Sequence, residues 1–472
     1  MPIPKPDTST DAQGTPGIGP SFGLPTLGEA IWVWARVGCL SFGGPAAQIA
    51  LLHREAVEQR AWVSDRRFLH ALNFCTLLPG PEAMQLAAYL GWLMHGVRGG
   101  LAAGLLFILP GAAVMLALSL LYTGYGGVPA VAAAFFGLKC VVLVLVADAL
   151  RRVARRALRT RAAYVVAGVA FLALFAFGAP FPAVVLAAGL LGWAVPGAFA
   201  GAGHDAVQDG PIAALDAVLA ADPGRPARMA AGAWRAGLIA LAAWLLPVAA
   251  LWAWGRSGGG SGNGAGSVLA DVAVFFSKLA VVTFGGAYAV LAYAAQGAVQ
   301  TYGWLTPGQM LDGLGLAETT PGPLILVLQF VGFLAGHQQG GPWLGVAAAG
   351  VVLWATFTPC FAWVFLGAPF VERLQANRTL TGALSAVTAA VVGVIANLAL
   401  WFALHTLFRE HSVVRRFGLH FDAPVPGSVD FAALALAAAA GVALLRFRLG
   451  VVPVLAGCAA ASLVLHSVGL AR

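Results

Sequence analysis

Charged residues are scarce in this sequence. Lys, Arg, Asp and Glu make up 10% of its 472 residues, whereas a soluble globular protein has roughly 25%. Hydrophobic residues make up 60%, and the mean hydropathy is +0.84. Runs of about 20 apolar residues, each long enough to cross the hydrocarbon core of a bilayer, recur along the chain. The composition predicts a polytopic membrane protein, in which the net charge of +8 reflects basic loops rather than a nucleic-acid surface.

Cysteines and enzymatic motifs are also few. The five cysteines show no CxxC spacing, which argues against a zinc site or a disulfide framework. We find no GxSxG, HExxH or Walker A motif, and no dinucleotide fingerprint after a strand. We therefore expect no catalysis, no cofactor and no metal, and transport would have to be coupled to a gradient.

The apolar runs form two sets of six, separated by a connector. Residues 1–25 predict a disordered tail because they are rich in Pro, Gly, Ser and Thr. A transporter repeat over 27–202 and a second over 268–470 flank the connector 203–267, which holds one apolar run and a Gly/Ser linker. The thirteen predicted spans lie near 27–52, 66–96, 98–122, 128–150, 162–178, 181–200, 232–254, 268–299, 308–337, 342–366, 379–407, 429–446 and 450–470.

The two sets of runs are related by an internal repeat. A displacement of 242 positions carries Phe42-Gly43-Gly44 to Phe284-Gly285-Gly286 and Pro79-Gly80-Pro81 to Pro321-Gly322-Pro323. The same shift relates Arg36 to Lys278 and Trp62 to Trp304, and beyond residue 95 it becomes 249. A constant shift from residue 36 to residue 95 is hard to produce by chance. It predicts two homologous halves.

The number of spans predicts that the halves are inverted. Six spans in the first half plus the connecting span place seven crossings between equivalent positions, and an odd number turns the second half upside down. The arginines at 151–161 predict that their loop and the N-terminus are cytoplasmic. Two basic segments, 54–67 and 409–416, would then lie on the other side, which conflicts with that assignment unless the first hairpin does not fully cross. The fold class predicted is an all-α membrane protein with about thirteen transmembrane helices in two inverted repeats.

Three cations lie inside apolar runs. They are Arg36, its repeat counterpart Lys278, and Lys139. A Lys or Arg at mid-membrane costs roughly 2.5 to 3.5 kcal/mol, so such a residue normally faces a polar interior or an ion path. The alternative is a side chain that reaches the headgroups from a helix end. Cations from two inverted halves would converge, and a convergent pair predicts an anionic solute.

Breaks rich in glycine and proline interrupt the runs at corresponding places in the two halves. A helix that restarts after a break points free N–H groups and its positive dipole end at the break, which favours an anion. Tight helix packing is the alternative for any single glycine, but paired breaks favour a central cavity. The predicted substrate-binding residues at the breaks are Ser41, Phe42, Gly43, Gly44, Pro79, Gly80, Pro81, Thr283, Phe284, Gly285, Gly286, Thr319, Thr320, Pro321, Gly322 and Pro323.

Polar residues beside the breaks extend the predicted site. Gln48, Gln85 and Asn397 lie in apolar runs, where they could coordinate a solute or bridge helices. Glu82 and Glu318 flank the two Pro-Gly-Pro elements from opposite ends and are the candidates for proton coupling. For Glu82, helix capping beside the dipole is the alternative.

The duplicated motifs resemble those of the chromate ion transporter family in its long-chain, two-domain form. The resemblance rests on Phe42-Gly43-Gly44-Pro45, Pro79-Gly80-Pro81 with Gln85, Phe284-Gly285-Gly286, Thr320-Pro321-Gly322-Pro323, and the run from Ala389 to Val394 that ends near Asn397. It covers about residues 27–470 apart from the connector. The sequence departs from the family pattern at Ala287 and Cys140, where a proline is expected.

The resemblance implies export of chromate from the bacterial cytoplasm across the inner membrane, driven by the proton-motive force. The implied partners are chromate or a sulfate-like oxyanion, protons and the lipid bilayer, and a homodimer is left open. Uptake of sulfate or another anion is the alternative within transport. A non-transporting scaffold or an intramembrane enzyme is the alternative outside it, and the duplicated breaks argue against the scaffold.

Overall fold

The computed structural model describes residues 23–199, 213–222, 224–257, 265–284, 286–371, 377–416 and 419–469. The predicted tail up to residue 22, Gly285 and most of the Gly/Ser linker lie outside these residues. The helices are α1 Leu27–Leu40, α2 Gly44–His53, α3 Asp65–Cys75, α4 Glu82–Tyr125, α5 Pro129–Ala157, α6 Arg161–Phe177, α7 Phe181–Ala194, α8 Ala214–Ala221, α9 Arg225–Ser257, α10 Ala265–Val282, α11 Ala287–Ala295, α12 Pro307–Thr319, α13 Val327–Gly367, α14 Arg378–Leu407, α15 Phe431–Gly441 and α16 Val451–Ser467. A two-stranded antiparallel hairpin, β1 His411–Arg416 and β2 Leu419–Pro424, follows α14.

Each of the two longest helices is a bent hairpin rather than a rod. The helical backbone of α4 is interrupted at His95 and Gly96, and that of α13 at Gly340 and Gly341. Gly91 and Gly99 of α4 lie backbone to backbone, although eight residues of straight helix would separate them by about 12 Å. Only glycine permits this approach, because a Cβ on either residue would overlap the other's carbonyl. Each helix therefore has a first arm before the bend and a second arm after it.

The first run of each half doubles back at its break. The ring of Trp34, in the middle of α1, lies 6.3 Å from the ring of Trp62, which follows α2. If α2 continued in the direction of α1, the two tryptophans would be roughly 30 Å apart. The second half repeats the contact, with Phe276 of α10 at 6.3 Å from Trp304 beyond α11. The helix pairs α1/α2 and α10/α11 are therefore helical hairpins.

The next run of each half also doubles back. Gly313 of α12 faces Phe330 of α13, and the two residues are similarly far from the intervening break. In the first half, the start of α3 and the end of the first arm of α4 line one cavity through Arg66 and Trp92. Besides the bends inside α4 and α13, the described residues thus form four helical hairpins, whose tips are the residues 41–43, 76–81, 283, 284 and 286, and 320–323.

The halves match each other beyond these tips. The α2 and α11 helices each end in a π-helical turn, Arg54–Glu58 and Gln296–Thr301, at the same repeat displacement of 242. The repeat-related helices α5 and α14 pack on each other. The last two helices of each half exchange partners, because α6 and α7 pack on α14 whereas α15 and α16 pack on α5. The structure is an all-α protein of two homologous halves with broken helices, as the sequence predicts.

The hairpins change how the runs are counted as spans. Within the described residues, α4, α5, α9, α10, α13 and α14 are long and apolar enough to cross a membrane, and four shorter apolar helices accompany them. If the four hairpins return to the side from which they start, each half is expected to cross four times, through the second arm of its bent helix and the three helices after it. Adding α9 would then leave five crossings between equivalent positions, an odd number that keeps the prediction of inverted halves.

This arrangement removes one conflict in the basic residues. Because the hairpins turn back, the loop at 59–64, the bend at Gly96 and the end of α5 are expected to lie at one face, which we call the basic face. The arginines at 54–67 and at 151–161 therefore share a face, because the first run doubles back instead of crossing. The arginines at 409–416 remain at the opposite face.

Candidate functional site

The four hairpin tips meet in pairs at the centre of the protein. Gly322 N–H donates to the Ser41 carbonyl at 2.8 Å, and its repeat counterpart Gly80 N–H donates to the Thr283 carbonyl at 3.0 Å. Each bond joins a tip of one half to a tip of the other. The reciprocal pair shows that the two halves interlock about a pseudo-two-fold axis.

Glycines at the tips allow this close packing. Gly80 and Gly322 have φ of 128° and 89°, in the region that favours glycine. Gly111, on the second arm of α4, lies against the Pro321 carbonyl, and a Cβ there would overlap it. At the equivalent position of the second half, Cys360 lies beside Gly80. The second arms of α4 and α13 therefore hold the tips of the opposite half.

A small cavity lies between the tips. Its volume is about 20 Å³, enough for about one water molecule, and its walls are the residues Pro45, Gln48, Pro81, Glu82, Ala83, Gly286, Ala287, Pro323, Leu324 and Ile325. Apart from Gln48 one turn further on, these residues belong to the first turns of α2, α4 and α11 and of the short 3₁₀ turn Leu324–Leu326 that leads into α13. Four helix N-termini therefore point at one cavity. Each carries about +0.5 charge, so together they supply about +2, which matches the charge of a tetrahedral dianion.

Two glutamines stabilise the tips. Gln48, almost fully buried, donates through Nε2 to the Gly322 carbonyl at 2.6 Å. Gln85 donates to the Pro79 carbonyl at 2.7 Å, while its own carbonyl oxygen is buried and accepts no hydrogen bond in the described part of the chain. A broken helix in a membrane needs its freed backbone groups satisfied, and the glutamines do this.

The two candidate proton-coupling carboxylates differ in position. Glu82 lines the cavity at the first residue of α4. Glu318 is buried in the last turn of α12 and accepts a hydrogen bond from the Tyr288 hydroxyl at 2.9 Å. Arg152 of α5, which is ion-paired with Asp148, acts electrostatically on Glu318. The Arg152 side chain is 51% exposed and is not among the residues that line the cavity.

The three candidate cations do not line the cavity. Arg36 and Lys278 are exposed, each within one or two turns of a hairpin tip. Lys139 is ion-paired with Asp312 at 3.2 Å instead. At the depth of the tips an exposed cation facing lipid would be costly, so the surfaces that carry Arg36 and Lys278 are expected to face water.

Most remaining predicted residues are part of the tips without facing the cavity. The hydroxyls of Ser41, Thr283, Thr319 and Thr320 donate to carbonyls of their own helices, and Phe42 is 39% exposed. Asn397 lines a separate pocket between α6, α11 and α14. Gly285 lies outside the described residues.

Tyr288, Arg152, Gly111 and Asp312 are not among the residues that the sequence predicts for the site. Asp312 has the clearest sequence signal of the four, because an acidic residue within an apolar run is as costly as a lysine there. Gly111 and Tyr288 carried none, since their roles depend on contacts between the halves. Among the described residues, no group of three or more His, Cys, Asp or Glu side chains could hold a metal ion.

Comparisons with known proteins agree with this architecture. The family model described as Chromate transporter matches residues 28–193 and 270–463, one segment in each half. A chromate transport protein of Pseudomonas aeruginosa is 35% identical over 397 residues, covering 83% of each chain. A chromate transport protein of Cupriavidus metallidurans is 27% identical over 408 residues, covering 86% of this chain and 89% of the relative. No solved structure gives a significant match to the chain.

Proposed function

The chain belongs to the chromate transporter family, and on that premise we propose that it exports chromate across the bacterial inner membrane by proton-coupled alternating access. The observation that carries the proposal is the cavity at which four helix N-termini converge. Chromate is a tetrahedral dianion, and the helix ends supply compensating positive charge without a fixed cation in the cavity. Inverted halves that interlock at their tips are the usual basis of alternating access.

The proposed direction is consistent with the electrical gradient. With the basic face cytoplasmic, the membrane potential is negative on that side. Moving one negative charge outward then gains about 2.3 kcal/mol per 100 mV, and a dianion gains twice as much. The electrical part of the proton-motive force thus favours export.

Everted membrane vesicles test the transport proposal. In vesicles energised by respiration, labelled chromate is expected to accumulate inside, and an uncoupler is expected to abolish the accumulation. Vesicles without the protein are the control. Accumulation in right-side-out vesicles only, together with chromate sensitisation of intact cells, would indicate uptake and contradict export.

Glu82 is proposed to make anion binding in the cavity depend on pH. An ionised carboxylate in the cavity repels a dianion by several kcal/mol at an effective dielectric constant of about 20. Protonation removes that repulsion, so chromate affinity is expected to rise as the pH falls. Glu82→Gln is expected to lower the chromate KM at least about tenfold above neutral pH and to flatten its pH dependence. The exposed Glu410 provides the control, Glu410→Gln. An unchanged pH profile in Glu82→Gln would show that Glu82 does not set the pH dependence of anion binding.

Lys278 is proposed to attract the anion into the water-filled approach to the cavity. Lys278→Met is expected to raise the chromate KM by about threefold to tenfold with little effect on kcat, because steering by charge acts on capture. Lys278→Arg, which keeps the charge, should retain the wild-type KM at low salt. A wild-type KM in Lys278→Met at low ionic strength would exclude this role.

A further inference from the structure

An ion pair near the face opposite the basic face joins α12, an arm of one hairpin, to α5. The Lys139 ammonium of α5 lies 3.2 Å from Oδ1 of Asp312 in α12. The Tyr122 hydroxyl, from the last turn of α4, donates to Oδ2 of Asp312 at 2.8 Å. The Asp312 side chain is only 8% exposed and that of Lys139 only 25%. Three helices therefore meet at one buried carboxylate.

The geometry of this pair is asymmetric about Asp312. Oδ2 holds a well-formed hydrogen bond from Tyr122, whereas the contact of Oδ1 with Lys139 does not meet hydrogen-bond geometry. The charges and donors that act on the carboxylate come from Lys139 of α5 and Tyr122 of α4. From α13, the residue packed here is Phe330, whose ring lies edge-on to Tyr122 at 5.1 Å. Protonation of Asp312 would therefore weaken chiefly its contact with α5.

The pair has no equivalent at the basic face. The repeat counterpart of Asp312 is His70, which lines a cavity of about 860 Å³. The counterpart of Lys139 is Thr388, an uncharged residue that donates to the Leu384 carbonyl of its own helix. Since Thr388 carries no charge, the positions equivalent to Lys139 and Asp312 do not form an ion pair with each other on the other side of the pseudo-two-fold axis. In alternating access, one gate is closed while the other is open, so a contact that is formed near one face only is consistent with a closed gate at that face.

We infer that Asp312 is a proton-binding site of the gate at the opposite face, and that its protonation releases α12 from Lys139 and lets that gate open. The inference rests on the proposed alternating access and extends it, because it places a proton site outside the anion cavity. The opposite face is the periplasmic one under that proposal, so the proton would arrive from the acidic side. The α12 helix carries Glu318 and the tip at Pro321 and therefore links the gate to the centre.

Hydrogen–deuterium exchange of the purified full chain tests the gate without relying on chromate. In the wild-type protein, exchange of the amides at 307–319, corrected for intrinsic rates, is expected to increase at low pH by about tenfold. Asp312→Asn should give the fast exchange at every pH. Asp222→Asn, at an exposed ion pair with Arg228, should retain the wild-type profile. Exchange at 307–319 that is independent of pH in the wild type, or unchanged by Asp312→Asn, would overturn the inference.

Transport assays separate a proton site from a merely structural pair. Lys139→Met alone leaves a buried charge without its partner and is expected to destabilise the protein. The double variant Lys139→Met/Asp312→Asn removes both charges and should restore the melting temperature. If Asp312 binds the proton, the double variant still exchanges chromate across proteoliposome membranes but loses the response to a pH gradient. A double variant with a wild-type response would contradict the proton site. Absence of chromate exchange in the wild type would contradict the proposed substrate instead. The hydrogen–deuterium exchange at 307–319 would still show whether Asp312 controls the gate.

Discussion

Replacing Gly111 with alanine is expected to reduce chromate transport by about a hundredfold while the protein still inserts into the membrane. The added Cβ would overlap the carbonyl of Pro321, and overpacking of this kind typically costs 1–3 kcal/mol and displaces backbone. The displaced backbone is the hairpin tip that forms one wall of the cavity. The expected loss is therefore much larger in transport than in stability.

Gly124, on the same arm of α4, provides the matched control. A Cβ at Gly124 meets no atom within 4 Å, so Gly124→Ala is expected to transport chromate at the wild-type rate. Initial rates in everted vesicles, normalised to the amount of protein, measure both variants. Wild-type transport by Gly111→Ala would show that the tip does not need its observed position.

Gln48→Glu is expected to abolish detectable transport. The change removes the donor to the Gly322 carbonyl, and a buried carbonyl without a partner costs about 1–3 kcal/mol. It also adds a negative charge to the cavity wall, where the charge opposes an anionic substrate directly. Both effects act at the point where two tips meet.

Two companion variants separate these effects. Gln48→Leu removes only the donor and is expected to retain part of the transport, whereas Gln59→Glu adds the same charge at an exposed position and should behave as the wild type. If Gln48→Glu and Gln48→Leu lost transport equally, the charge would be irrelevant and the cavity would not be an anion site. Chromate uptake in everted vesicles provides the comparison.

Much of the architecture could be predicted from the sequence because the repeat is strong. The duplicated Phe-Gly-Gly and Pro-Gly-Pro elements predicted homologous halves and broken helices, and they led to the family that the family model confirms. Break positions are readable because glycine and proline act locally on the backbone.

The direction that the backbone takes after each break could not be predicted from the sequence. The run 27–52 is long enough to cross a bilayer, and nothing local distinguishes a crossing from a return. The return is decided by tertiary contacts such as Trp34 with Trp62. The same limit applies to the cations: the sequence shows that Lys139 is embedded in apolar residues, but its pairing with Asp312 depends on how α5 packs on α12.

The central claim is that the four converging helix N-termini bind the oxyanion. Anomalous scattering from chromium in crystals of the protein grown with chromate tests it most directly. The account predicts one strong peak in the cavity between Pro45, Pro81, Gly286 and Pro323, and a much weaker peak in Gln48→Glu. A strong peak beside exposed Arg36 or Lys278 with none in the cavity would contradict it.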